Sequence, residues 1–78
     1  MTITVHYFGR IAEAAGVRSE SVAAADTVGA LRAILAERVT GLGDAAKVRA
    51  LVDDEFVGEA YRLEGVAEIA FMPPVSGG

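Results

Sequence analysis

The sequence contains no cysteine. This absence excludes disulfides, thiolate catalysis, sulfur carriage on a side-chain thiol and metal sites with cysteine ligands. The seven lysine and arginine residues are scattered and the formal net charge is −4, so the chain lacks the basic stripe that binds nucleic acid. No apolar run approaches the roughly 18 residues of a membrane-spanning helix, and no signal-peptide pattern is found. We therefore predict a cytoplasmic protein that binds neither nucleic acid nor membranes.

Titratable residues give no pattern typical of a catalytic or metal site. Asp53-Asp54-Glu55 is interpreted as a solvated turn, because no calcium-type spacing of oxygen ligands follows it. His6, the single histidine, is interpreted as an exposed structural residue. A chain of 78 residues forms at most one domain with a thin core. We predict no catalytic residue, no metal and no permanently bound cofactor, and we expect any chemistry to be shared with a partner.

Apolar and polar residues alternate in several segments, which is typical of half-buried strands. The predicted strands are residues 2–8, a weak edge strand within 17–24, residues 48–53, a short return strand at 56–61, and residues 68–72. The side chains predicted to face the core are Ile3, Val5, Tyr7, Val48, Ala50, Val52, Ile69 and Phe71.

Two helices are predicted between these strands. Residues 10–15 form a short one that ends at Gly16. The main helix begins after the N-cap Thr27. Its apolar stripe is predicted to comprise Val28, Leu31, Ile34, Leu35 and Val39. The order of elements predicts an α+β fold, in which a mixed sheet of about five strands carries one main helix on one face.

The end of the sequence is poor in side chains that could anchor it. Two prolines follow the last predicted strand, and after them come Val75, Ser76, Gly77 and Gly78. Glycines carry no side chain, so this end is slim enough to enter a narrow channel. We therefore expect a domain at residues 1–74 and a flexible tail at 75–78. The segment from Pro73 to Gly78 projects about 20 Å when extended.

The segment Ile69-Ala70-Phe71-Met72-Pro73-Pro74-Val75-Ser76-Gly77-Gly78 resembles the C-terminus of the small subunit of molybdopterin synthase. The resemblance extends over the chain through Tyr7-Phe8-Gly9-Arg10, Thr27-Val28-Gly29-Ala30-Leu31 and Leu51-Val52-Asp53. Two positions depart from that family. Leu63-Glu64-Gly65-Val66-Ala67 replaces a common Asp-Gly-Asp turn, and Met72 replaces a second aromatic residue. The resemblance implies a ubiquitin-like β-grasp fold.

The resemblance also implies a chemistry for Gly78. An activating enzyme would join its carboxylate to AMP from ATP, and a sulfur donor would then convert it to a thiocarboxylate. Val75, Ser76 and Gly77 would thread behind it into the large subunit of molybdopterin synthase, so the chain would donate sulfur without being a catalyst. Three alternatives remain: a sulfur carrier for thiamine, cysteine or tRNA thiolation, a ubiquitin-like protein modifier, and a plain binding module with a disordered tail.

The strand order implied by the β-grasp resemblance also predicts a docking surface. In that order the first and last strands are parallel neighbours, and the third strand lies beside the last. Alternation then places Phe8, Leu51 and Met72 on the face away from the main helix, with Phe56 just past the end of the third strand. We predict that these four residues bind both the activating enzyme and the large subunit.

Overall fold

The computed structural model describes residues 1–73. The predicted tail, with Val75, Ser76, Gly77 and Gly78, lies outside the described residues. The elements are β1 (Thr2–Tyr7), α1 (Gly9–Ala15), β2 (Ser19–Ala23), α2 (Val28–Ala36), β3 (Arg49–Val52), β4 (Glu55–Val57) and β5 (Glu68–Met72).

The five strands form one mixed sheet in the order β2-β1-β5-β3-β4. β1 and β5 are parallel, with Val5 opposite Ile69, whereas the other three neighbouring pairs are antiparallel. The predicted edge strand, β2, lies at one margin of the sheet. The predicted α+β architecture is therefore confirmed, including the parallel first and last strands with the third strand beside the last.

All eight strand residues predicted to face the core are buried, and they pack with the apolar side of α2. Thr27 caps α2 as predicted, since its hydroxyl oxygen accepts a hydrogen bond from the Ala30 amide at 3.2 Å. Gly16 ends α1 in the left-handed conformation, with a φ of 79°. Within residues 1–73, no helix has both the length and the apolar character needed to cross a membrane.

The prediction that Ile34 of α2 faces the core is wrong. Ile34 is 56% exposed, whereas Arg32 is only 4% exposed. At 100° per residue, Ile34 lies roughly 90° from the middle of the stripe formed by Val28, Leu31 and Leu35, and Arg32 lies nearer to it. Apolar character suggested Ile34 for the core, but the helix geometry turns Arg32 inward instead.

Arg32 is accommodated in the core because each of its three guanidinium nitrogens donates a hydrogen bond. Its Nε and one terminal nitrogen donate to the Glu59 carboxylate at 2.7 and 2.9 Å, and the other terminal nitrogen donates to the Leu42 carbonyl at 2.9 Å. The guanidinium carbon also lies 5.2 Å from the centroid of the Phe71 ring. Arg32 thereby joins α2 to the α2–β3 loop at Leu42 and to the β4–β5 loop at Glu59.

The return strand is shorter and earlier than the predicted 56–61 segment. Asp53 and Asp54 have φ angles of 54° and 66°, which form a two-residue turn of the kind that matches the twist of a hairpin. Pairing therefore resumes at once, with Glu55 opposite Val52. Glu55 belongs to β4 rather than to the turn, and the strand ends at Val57.

Candidate docking surface and chain exit

The face of the sheet away from the core carries a continuous row of side chains. The strand register places His6 opposite Ala70, Ala70 opposite Leu51, and Leu51 opposite Phe56. Residues directly opposite each other in neighbouring strands point to the same face. In the next row, Met72 lies opposite Arg49. The register thus brings residues from four strands onto one open face.

A groove on this face has two chemically different ends. Phe8, Leu51 and Met72 line it towards the end of β5, where the described chain leaves the sheet. Asp53, Asp54 and Glu68 line it towards the start of β5. The groove therefore runs from an apolar end beside the chain exit to an acidic end at the β3–β4 turn.

The four residues predicted to bind partners lie together, although not in one groove. Phe8 is 46% exposed and Phe56 is 55% exposed, while Leu51 and Met72 are half-buried. Phe56 is not among the groove residues; it lies beside Leu51 on β4, directly opposite it rather than past the end of β3. The Arg49 guanidinium covers its ring at 4.2 Å from the centroid. Their contact with partners stays a prediction.

His6 takes part in a contact that sequence reasoning missed. Its Nε2 lies 2.7 Å from Glu68 Oε1, and the imidazole is 37% exposed on the groove side of β1. Glu68 is paired with Thr4, two residues before His6, so the contact is a diagonal one between parallel strands. The sequence contained both residues, but only the strand register indicates that they meet.

Gly9 determines how closely Pro73 can approach β1. Its φ is 56°, in the left-handed region that favours glycine. A Cβ atom at this position would lie 3.0 Å from Pro73 Cγ, so a larger residue would have to displace the proline ring. Because β5 ends at Met72, this contact lies at the point where the described chain leaves the sheet.

On the core side, a hydrogen-bonded group connects β1, β2 and the segment that follows α2. The Tyr7 hydroxyl donates to Glu20 Oε2 at 2.6 Å, and an Arg38 terminal nitrogen donates to the same oxygen at 2.6 Å. The bond from Tyr7, followed by the contribution of Arg38, lowers the pKa of the Glu20 carboxyl. Burial, and then the bond to Glu20, raises the pKa of Tyr7. The group stabilises an edge strand and lies away from the open face.

Comparisons with known proteins agree with this architecture. The chain is 36% identical to the molybdopterin synthase sulfur carrier subunit of Caenorhabditis briggsae, over 100% of the chain and 99% of the relative. SAMP1 from Haloferax volcanii has a similar structure, with a TM-score of 0.76, 28% identity and 100% of both chains covered.

A second structural likeness supports the fold alone. The small archaeal modifier protein 1 from Methanosarcina acetivorans matches with a TM-score of 0.78 and 23% identity, over 99% of this chain and 96% of that one. The ubiquitin-like β-grasp fold implied by the resemblance is therefore confirmed. The family model for the ThiS family matches residues 5–78, almost the whole sequence. The chain belongs to the ThiS family.

Proposed function

We propose that this chain is the sulfur-donating small subunit of a molybdopterin synthase. An activating enzyme joins the Gly78 carboxylate to the α-phosphorus of ATP, and pyrophosphate leaves. A sulfur nucleophile then attacks the acyl carbon, AMP leaves, and a thiocarboxylate remains. Its sulfur is donated within the large subunit. ATP is consumed by the activating enzyme, and this chain holds no resident cofactor and acts as a carrier rather than as a catalyst.

The observation that carries the proposal is the match over full length to the curated relative from Caenorhabditis briggsae, which is itself named a sulfur carrier subunit of molybdopterin synthase. The alignment covers all of this chain, so it extends over the segment that ends in Gly77-Gly78 as well as over the folded domain. The sequence is consistent with carriage on the terminal carboxylate, because the chain has no thiol that could carry sulfur instead.

The chain needs two partners for this work. A carboxylate is a poor electrophile, so an external enzyme must activate it, and the precursor that receives sulfur is bound by the large subunit. The open face supports such docking through Phe8 and Met72 beside the chain exit, and through Leu51 and Phe56, which extend the surface across β3 and β4. One surface that serves both partners makes the two complexes mutually exclusive. A cytoplasmic location and the lack of nucleic-acid or membrane partners remain predictions.

The chemistry is tested by the intact mass of the full-length protein. After incubation with ATP, the cognate activating enzyme and a sulfur donor, we expect one oxygen at the C-terminus to be replaced by sulfur. Removal of Gly78 should abolish this product. The melting temperature of the chain without Gly78 should match that of the complete chain. This second measurement distinguishes a loss of reactivity from a loss of folding. A truncated chain that still supported molybdopterin synthesis would contradict the proposal.

The docking surface is tested by combining Phe8→Ala, Phe56→Ala and Met72→Ala. Truncation of apolar residues at an interface centre costs about 1–3 kcal/mol of binding free energy at each strong contact. We expect weaker binding to both partners, measured by calorimetry, with little change in stability. Ile34→Ala is the matched control, because Ile34 is about as exposed as Phe56 but lies on α2, away from the open face of the sheet. Unchanged binding by the triple variant would place the docking site elsewhere.

A second function is favoured by the likeness to SAMP1 from Haloferax volcanii, a relative whose structure is covered in full. A protein modifier would join Gly78 to lysine residues of target proteins through isopeptide bonds. In a cell extract with ATP, that function produces ladders of conjugates on a gel. A sulfur carrier for thiamine, cysteine or tRNA thiolation would instead form the thiocarboxylate but fail to restore molybdopterin synthesis.

A further inference from the structure

The two margins of the sheet differ in how well they are protected against pairing with another strand. β4 forms one margin and has only three residues, whereas β2 forms the other and has five. Short length, proline and exposed lysine are common ways of blocking an edge strand, and β2 has none of them. An inward-pointing charge also deters pairing, but the Glu20 carboxylate already accepts hydrogen bonds from Tyr7 and Arg38. The β2 margin is therefore the open one.

The pairing of β1 with β2 decides which backbone groups of β2 are turned outward. The Tyr7 amide donates to the Arg18 carbonyl at 2.8 Å, and the Ala24 amide donates to the Met1 carbonyl at 3.0 Å. In an antiparallel pair, hydrogen-bonded positions alternate along each strand. The residues between these positions direct both N–H and C=O away from β1. In β2 they are Ser19, Ser21 and Ala23.

These three outward residues are open to a new strand. No loop or helix of residues 1–73 supplies a hydrogen-bond partner to their backbone groups. All three are exposed. Their side chains are small and lie on the face opposite to Glu20, because side chains alternate along a strand. Another backbone can therefore approach this edge without meeting a large side chain.

On the helix side, the β2 margin is flanked by an apolar side chain. Arg38 follows α2 and donates to Glu20 Oε2 at 2.6 Å, which places this side of the helix towards β2. Ile34 comes four residues earlier, one turn away on the same side. It is 56% exposed, and Val22 of β2 is half-buried on the helix side. A strand added at this margin would gain apolar contact as well as hydrogen bonds.

The edge is complementary to itself. When a second copy of β2 is laid alongside it in the antiparallel sense, with Ser21 opposite Ser21, Ser19 lies opposite Ala23 of the other copy. Each outward residue then exchanges a donor and an acceptor with the residue opposite it, so all outward groups of both strands are paired. Glu20 lies opposite Val22, so this register brings no like charges directly together.

We propose that β2 is a self-association edge, through which two copies of the chain form a symmetric dimer with its two-fold axis at Ser21. The two five-stranded sheets join into one, and both copies of α2 lie on the same side of it. The junction leaves Phe8, Leu51, Phe56 and Met72 uncovered, since none of them belongs to β2. The inference does not depend on the proposed function. Because one strand pair makes a small interface, the dimer is weak and forms at high protein concentration.

The dimer is tested by sedimentation velocity on the complete chain, from about 10 μM to about 1 mM, the range in which a weak complex dissociates. We expect the average mass to rise from that of one chain towards that of two. Hydrogen exchange over the same range locates the contact. The amides of Ser19, Ser21 and Ala23 should become more protected as concentration rises. The Glu20 amide, which faces β1, should not change and serves as the internal control.

Charges placed on the two-fold axis test the register. Ser21→Lys and Ser21→Glu each bring like charges directly opposite each other, so each should raise the dissociation constant at least about fivefold. An equal mixture of the two variants brings opposite charges together and should restore association. Ala23→Lys is the matched control, because residue 23 is equally exposed on the same face but lies opposite Ser19 and not opposite itself. It should dimerise better than Ser21→Lys.

Several results would overturn the inference. A chain that stays monomeric up to about 1 mM has no such edge. A dimer that is retained equally by Ser21→Lys and Ser21→Glu, or a mixture that associates no better than either variant alone, would show that the copies meet elsewhere. Melting temperatures confirm that each variant is folded. If a variant failed to fold, the exchange of the outward amides in the parent chain would still decide the question.

Discussion

Replacement of Gly9 by alanine tests whether Gly9 sets the path by which the chain leaves β5. The left-handed backbone of Gly9 costs a residue with a Cβ atom roughly 1–2 kcal/mol. The new methyl group would also lie 3.0 Å from Pro73 Cγ. Pro73 is half-buried at the end of the described chain, so it can give way. We therefore expect the proline to move by a few tenths of an ångström rather than the fold to break.

Gly16→Ala separates the two effects. Gly16 has a φ of 79°, and among residues 1–73, apart from its own neighbours in the chain, no atom lies within 4 Å of a Cβ built there. It therefore carries the backbone penalty without the contact. Both variants should lose about 1–2 kcal/mol of unfolding free energy, which corresponds to a fall in melting temperature of about 5–15 °C for a domain of this size. Thermal unfolding followed by circular dichroism measures this directly.

The variants should differ in chemistry. In the proposed complex with the activating enzyme, Pro73 precedes the segment that enters the enzyme. Small misplacements of a reacting group cost large factors in rate, so we expect Gly9→Ala to slow thiocarboxylate formation by about tenfold. Gly16→Ala should react at the parental rate. Initial rates are measured by intact mass well below either melting temperature. Equal rates for the two variants, at equal stability, would refute the idea that the contact between Gly9 and Pro73 directs the chain.

Two further predictions concern stability. Glu59→Ala leaves the buried Arg32 guanidinium without its carboxylate and should lower the free energy of unfolding, measured with denaturant, by about 2–4 kcal/mol. The control Glu13→Ala, at an exposed position of α1, should change it by less than about 0.5 kcal/mol. Equal effects would show that the ion pair between Arg32 and Glu59 contributes nothing to stability. The Tyr7 hydroxyl lowers the pKa of the Glu20 carboxyl, so the contribution of Glu20 to the free energy of unfolding is present above the ordinary glutamate pKa and is lost as pH falls through the lowered pKa. The unfolding free energies of the parent and Glu20→Gln should therefore differ by about 1 kcal/mol at neutral pH and converge in acid.

Local patterns predicted the elements because their physical causes are local. Strand alternation places Val5 and Phe71 in the core whatever the strand order, and the hydroxyl of Thr27 caps α2 through a residue only three positions away. The errors arose where geometry overrides residue type. Ile34 is apolar and Arg32 is charged, yet the helical angle exposes the first and buries the second.

The candidate site depended on pairings between residues distant in sequence. The resemblance supplied the order of the strands, and alternation then placed Phe8 and Met72 on the open face, where the groove contains both. The contact of His6 with Glu68 and the closeness of Gly9 to Pro73 required side-chain positions that no spacing in the sequence encodes.

The proposed docking surface lies on the face of the sheet that does not form the core. The bonded groups around Arg32 and Tyr7 lie on the core side, where they join the helices and loops to the strands. The open face carries Phe8 and Phe56 as exposed aromatics that the core does not use. In the proposed function the carrier visits two partners through one surface and must leave each of them, and residence time is set mainly by the dissociation rate. A shallow, exposed surface suits that requirement, because contacts there can be weakened or strengthened without a change in the stability of the domain.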